Sequence, residues 1–530
     1  MKKAKGIGLF DIVIAGLSGA IGFEIFVLLN YAYFHLAGPG ILLALIIGGV
    51  INLLIMLSYC ELGAAMPLVG GEYTYIKTAY GGYVGFIAGC FRWMASLFAA
   101  ALAAVTFVVQ LAIIFSVISP QIQAAILDQA WLLSIFVVAA LGVTEIRGSR
   151  KLGSVIVIAF ILLFAGFIIG GFISGGFNAV NLFSAPLPQG VSGLFAATVY
   201  IFPMFIGTKA LVASATSAEK PGKNIPRGLL LSAIIIIPLY LLMALVAIGT
   251  VASTETAQQV SLLNFAAGQI FGQYGTIVFA IAGMVACLSA LGTSLSVQSS
   301  IARGMSRDGY FPKMLMAVHS RFGTNYIAAV VGSGIIMLLS VLGAVPFLVY
   351  AASFGSLIVF ALVNLSLMKL RKTKPYMDRP FKTPLYPLTP IIGFVLSVAL
   401  LVLPMVFGDG NALDALASGL GLTAIVLCSY YLRMAGRFRV QIALGGIGMG
   451  TGAIIAALAF VNIVGLAQPV FPFISSYVQL AASFVLIVAG YFNLNADAAK
   501  KKKEQNSEDR LRLWTNKLRN YFAKRRILSA

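Results

Sequence analysis

Apolar runs of about 20 residues recur along the chain, each long enough to carry a helix through roughly 30 Å of hydrocarbon. They fall near 9–35, 39–66, 83–117, 128–146, 152–175, 191–217 and 228–252, then near 267–302, 325–343, 346–369, 387–407, 412–433, 439–464 and 469–494. The spacing predicts an all-α, polytopic membrane protein of about 14 transmembrane helices. Charged residues are 10% of the chain and hydrophobic ones 60%, whereas soluble domains run near 25% charged.

The net charge of +20 does not point to nucleic acid, because the Lys and Arg residues lie in short connections and one tail. Lys2, Lys3 and Lys5, then Lys77, Arg147, Arg150 and Lys151, then Lys220, Lys223 and Arg227 mark every second connection. Arg303, Arg307, Arg321, Lys369, Lys382, Arg433 and Arg439 continue the alternation, while Asp128, Glu255, Asp409 and Asp414 mark the opposite side without a basic residue. Lys and Arg accumulate on the cytoplasmic side, so both termini are expected there, in a multi-pass protein of the cell membrane. Arg92 lies inside a run but near its inner end beside Trp93, and reads as a snorkelling interfacial anchor. Cys60, Cys90, Cys287 and Cys428 lack paired metal spacing and read as small buried hydrophobes. In the tail, Leu511, Trp514, Leu518, Tyr521 and Phe522 recur at helical spacing between basic residues. That pattern suits a helix lying on anionic lipid, and equally a solvated tail that only enforces topology.

Two runs are built to break. The first holds Gly16, Gly19 and Gly22 around Ser18, Ala20 and Ile21, with Glu24 just beyond. Glycine costs a helix interior about 1 kcal/mol relative to alanine, so the backbone can leave the helical ladder here. Close helix packing would account for Gly16 and Gly19 but not for Glu24. The sixth run holds Phe202, Pro203, Phe205, Gly207, Thr208 and Lys209, and Pro203 removes a backbone donor. Runs one and six correspond if the chain contains two five-span repeats, about 9–175 and 191–369, which then run in opposite directions across the bilayer. That is the inverted-repeat pattern of secondary transporters. It divides the chain into a ten-helix core over 1–370, four additional helices over 371–495 and a basic tail over 496–530.

At about 1.5 Å per residue, Glu24 and Lys209 both come out near the midplane. A lone charge there costs on the order of 2.5 to 3.5 kcal/mol, so the two are expected to pair, as part of the transport site or as a purely structural lock.

The connection after span two, with Glu61, Gly63, Pro67, Gly70, Gly71, Glu72 and Tyr73, resembles the amino acid/polyamine/organocation transporter superfamily. Gly142 and Val143 ahead of Arg147, the run Asn224, Ile225, Pro226 and Arg227, the segment 303–312, and Arg379, Pro380 and Phe381 stand in that family's order. The resemblance covers about residues 8–400. It implies a LeuT-type core, with substrate held at the breaks of spans one and six by the backbone of Gly19, Ala20, Ile21 and Gly22 and by Ser18, Phe202, Phe205, Gly207 and Thr208. Family members usually carry glycine where Glu24 stands and a carboxylate where Lys209 stands. The free amides of span one receive the carboxylate of an amino acid in that family, and Glu24 would compete for the place.

The expected function is therefore an amino acid permease, moving an amino-acid-like small molecule by alternating access as a proton symporter, with Glu24 and Lys209 exchanging the protons. The other readings are a carrier of anionic organic acids that uses Lys209, and a nutrient sensor signalling through the basic tail. No nucleophile, metal or phosphate-loop constellation rises above chance, so neither an enzyme nor a cofactor nor a metal is expected. Membrane lipids and a small solute are the expected partners, and nucleic acid is not.

Overall fold

The computed structural model describes residues 8–67, 71–147, 153–183, 187–209, 218–251, 261–341 and 345–406, together with Ile487. Apart from Ile487 these belong to one compact unit, Met1–Gly419, and a second unit comprises Leu420–Ala530. The last three expected spans apart from Ile487, together with Cys428 and the tail, lie outside the described residues.

Every regular element among the described residues is helical. The first third holds α1 (Leu9–Ala20), α2 (Glu24–Tyr31), α3 (Ile41–Ala65), α4 (Glu72–Tyr80) and α5 (Gly82–Ser116). Next come α6 (Pro120–Asp128), α7 (Ala130–Arg147), α8 (Gly153–Ile173), α9 (Gly190–Ile201) and α10 (Pro221–Thr250). The last five are α11 (Leu262–Phe271), α12 (Gln273–Arg307), α13 (Tyr326–Ser340), α14 (Val345–Thr373) and α15 (Leu388–Val406). Among the described residues 7 stretches are long and apolar enough to cross a membrane, or 8 when α6 and α7, bent by 69°, are taken as one span. One of these, Leu9–Ala65, is interrupted at Gly38, where φ of 54° followed by Pro39 turns the chain between α2 and α3. Each of the first eleven expected spans overlaps a helix.

The packing separates an interior from a lipid-facing rim. Helix α5 is the centre: α12 and α14 both lie along it, and its alanines 100, 101, 103 and 104 are fully buried. Small side chains let helix backbones approach, which matters where the surrounding lipid is as apolar as the helix. Gly355 of α14 makes the same use of the absent Cβ, since a methyl group there would stand 2.7 Å from the Phe91 carbonyl. Helix α8 shows the rim: Phe164 and Phe167 point inward and are buried, while Leu162, Ile169 and Ile173 are exposed on the other side. A helix apolar all round fits a surface bathed in hydrocarbon.

Charged residues of several of the basic connections meet one another among the described residues. Lys77 of α4 meets Asp308, just past α12, at 2.7 Å, and Arg371 of α14 meets Glu61 of α3 at 2.5 Å. Arg379 joins Glu61 at 3.3 Å. Burial pushes the Asp308 carboxyl up, but hydrogen bonds from Lys77 and from the Tyr73 hydroxyl, 2.6 Å away, outweigh it and hold it below its ordinary 3.8. A depressed folded-state value adds stability that is full above the unfolded value and is lost as pH falls through the folded one. The melting temperature of the protein should therefore exceed that of Asp308→Asn by a constant margin above about pH 5, and the margin should close in more acid buffer. A margin unchanged down to about pH 3 would show that the pair adds no pH-linked stability.

Arg92 corrects an expectation. It is buried, at 8% exposure, and its Nε lies 2.9 Å from Glu72 Oε2, so it is an internal ion-pair partner rather than an interfacial anchor. The amino end of α4 folds in beneath α5, which brings Glu72 to it.

Candidate functional site

Both expected breaks occur. Helix α1 ends at Ala20; Ile21 leaves the helical region with ψ of 79°, and α2 begins afresh at Glu24. The Gly22 amide bonds the Ala20 carbonyl at 2.7 Å in a tight turn, and the Ala20 oxygen also accepts from the Tyr240 hydroxyl of α10. A side chain from another helix thus satisfies a carbonyl that the broken ladder frees. On the other side α9 stops at Ile201 and the chain tightens into a 3-10 turn at Phe202–Phe205, with Pro203 at its start. Proline has no N–H for a helical bond and its fixed φ suits the first turn, which places the change of pitch there.

The two breaks touch. Gly207 lies so close to the Gly19 carbonyl that a Cβ at 207 would overlap that oxygen, with the Ala20 nitrogen 3.0 Å away. Gly16 serves the other purpose open to it, packing: its Cα faces Ser232 of α10, where a Cβ would stand 2.8 Å from the hydroxyl.

Around this contact the expected site residues take different places. Ser18, Gly19, Glu24 and Gly207 keep part of their surface accessible, while Ala20, Ile21, Gly22, Phe202, Phe205 and Thr208 are buried. The Thr208 hydroxyl donates to the Phe205 carbonyl at 3.0 Å, so its own turn engages it. The Phe205 ring packs on Gly48 of α3, where a Cβ would lie 3.1 Å away, and stands 6.3 Å from the Tyr240 ring.

Glu24 and Lys209 are not paired, contrary to the expectation from their common depth. Lys209, 1% exposed, donates from Nζ to Asn52 Oδ1 of α3, and its ammonium lies 4.3 Å from the centre of the Phe360 ring. The rings of Tyr59 and Phe202 flank it at 6.0 Å each. A desolvated cation over aromatic faces gains about 2 kcal/mol, which offsets part of its burial. Behind Tyr59 stands the Glu72–Arg92 pair, and the Tyr59 hydroxyl donates to Glu72 Oε1 at 3.1 Å. Glu24 turns elsewhere: its Oε2 is shut from solvent with no hydrogen-bond partner, hard against Gly22. Tyr240 of α10 and Cys287 of α12 lie in its neighbourhood.

Asn52, Phe360, Tyr240 and Cys287 were not anticipated as neighbours of the breaks. Asn52 carried a signal, since it is a lone amide in an otherwise apolar span. Phe360 and Cys287 carried none, being ordinary apolar residues of apolar helices.

A bundle of apolar helices in which two broken helices meet at Gly207 and Gly19, with an ionisable residue close to each break, has the pattern of a membrane transporter. The chain belongs to the amino acid permease family, whose model matches residues 7–415. It is 26% identical over 412 residues to the branched-chain amino acid permease BcaP of Bacillus subtilis (strain 168), covering 75% of this chain and 87% of that one. The methylthioribose transporter of the same organism is also 26% identical, over 74% of this chain and 86% of its own. A vacuolar cationic amino acid transporter 2 of Arabidopsis thaliana is 24% identical, over 70% of this chain and 60% of its own. The family and these relatives are transporters, not enzymes.

Proposed function

We propose that the protein is a secondary active permease that moves an amino acid or related small solute across the cell membrane by alternating access, coupled to protons. The contact between the two breaks carries this reading. Gly207 against the Gly19 carbonyl joins two interrupted helices at their breaks, where small rigid-body shifts of one repeat against the other open one side or the other. On this reading the repeats are about 9–175 and 191–369, four further helices occupy 371–495, and both termini are cytoplasmic. Glu24 and Lys209 supply the ionisable groups. They do not form an ion pair with each other, so the joint binding of proton and substrate that such a pair would impose is not required.

Counterflow in proteoliposomes tests the reading: labelled solute should accumulate against unlabelled solute trapped inside. The names of the relatives make leucine, lysine and methylthioribose the first solutes to try. Phe205→Ala should weaken uptake about tenfold or more while the variant still reaches the membrane, because it removes the ring wedged between the sixth-span break and α3. Solute binding without counterflow would replace transport by a sensor function, and unchanged kinetics in Phe205→Ala would remove that ring from the site.

A further inference from the structure

Gly207 of the sixth-span break faces α1, whereas Lys209 turns to α3 and α14. Its amine is enclosed by Asn52 and Tyr59 of α3, Phe202 of the 3-10 turn and Phe360 of α14, all of them fully buried. An ammonium carries three N–H donors, and among the described residues one of them has an acceptor, the Asn52 oxygen. With that oxygen taken, the other end of the Asn52 amide is fixed as a donor too. This Nδ2 is shut from solvent and has no partner. Two donors therefore stand side by side among aromatic rings. Among the described residues no carboxylate pairs with Lys209: Glu72, behind Tyr59, is held by Arg92 and by the Tyr59 hydroxyl. Glu72 and Arg92 cancel each other, so the charge of a Lys209 ammonium is left over.

We propose that Lys209 and Asn52 form a site for a small inorganic anion of halide size, such as chloride, between α3, the sixth span and α14. A buried charge is tolerated when a counter-charge and hydrogen bonds meet it, and a halide accepts from Nζ and Nδ2 at once. The surroundings favour that class. A spherical ion needs no further polar partner, whereas the chain of an organic acid would need room among side chains that leave almost no surface accessible. The anion enters with the proton that makes Lys209 an ammonium, so the filled site is neutral and the empty one holds no charge standing alone. The other titratable or charged groups on this side are the Tyr59 hydroxyl of α3, Glu72 of α4 and Arg92 of α5, while α14 and the sixth span present the rings of Phe360 and Phe202. The inference goes beyond the transport reading and does not depend on it, since the binding can be read without any movement of solute.

The test is thermal melting of the purified full-length protein in gluconate, with chloride replacing gluconate at constant ionic strength and an unchanged cation. The melting temperature should rise and saturate with chloride, as it does when a ligand binds the native state. Bromide should act as chloride does. The apparent affinity should tighten in more acid buffer, because the anion and the Lys209 proton favour each other's binding. Lys209→Met should abolish the rise. Asn52→Asp sets a carboxylate of the same shape beside the amine; it should melt in gluconate at or above the temperature of the unaltered chain in chloride, and gain nothing from added chloride. Should one variant fail to fold, the other decides. No saturable rise in the unaltered chain, an affinity that does not change with pH, or an undiminished rise in either variant overturns the proposal.

Discussion

Glu61→Ala is expected to lower stability by about 3–5 kcal/mol, the range for removing one partner of a buried charge cluster. The carboxylate sits at the end of α3 and is fully buried. It accepts two bonds from Arg371, from Nε at 2.8 Å and Nη2 at 2.5 Å, and a third from the Thr383 amide at 2.7 Å. Arg379 stands 3.3 Å away on its other oxygen. Alanine would leave two guanidinium groups without their counter-ion and one buried amide without an acceptor, and each is a separate cost. Part of the loss should return in Glu61→Gln, which keeps the shape and one acceptor oxygen but not the charge. Denaturant midpoints of the detergent-solubilised protein, read by tryptophan fluorescence, give the comparison. A shift worth under about 1 kcal/mol in Glu61→Ala would mean that water or a neighbouring acceptor takes over the arginines. The cluster ties α3 to α14 and to the connection beyond it, so its loss should also loosen the packing that carries the sixth-span break.

The sequence was most legible where the cause of a structural feature is local. The first break turns at Ile21, between Gly19 and Gly22, and Pro203 opens the second through its missing donor, and both places are marked by residue type alone. What failed was the choice of partners for buried charges. Depth along the membrane normal can be had from residue count, but the direction in which a side chain leaves its helix depends on how that helix is rotated in the bundle. Glu24 and Lys209 share a depth and point to different neighbours: Lys209 finds an amide 157 positions away on α3, and Glu24 turns back onto its own helix. Arg92 failed for the same reason. Its distance from the membrane surface suggested snorkelling, but the cost of burying its charge was met by Glu72, brought in by the fold of α4.

Gly207→Ala should abolish counterflow, since among the described glycines it has the closest approach to foreign backbone. The added Cβ would meet backbone on the far side, the Gly19 carbonyl and the Ala20 nitrogen, and not the end of a flexible side chain. Backbone cannot rotate away, so the two breaks would have to separate, at a cost of about 1–3 kcal/mol for overpacking. Any displacement also breaks the turn in which Gly22 bonds Ala20, and with it the position of Glu24 at the start of α2. Gly166→Ala is the control: it sits within α8 with nothing within 4 Å of an added Cβ, and should transport normally with up to about 1 kcal/mol of added helix stability. Glycine at 207 is therefore expected to act through contact and not through helix propensity, and the two variants separate those causes. Counterflow at the unaltered rate in Gly207→Ala, with an unchanged melting temperature, would show that the breaks do not meet in the transporting protein and would take the contact at Gly19 out of the mechanism.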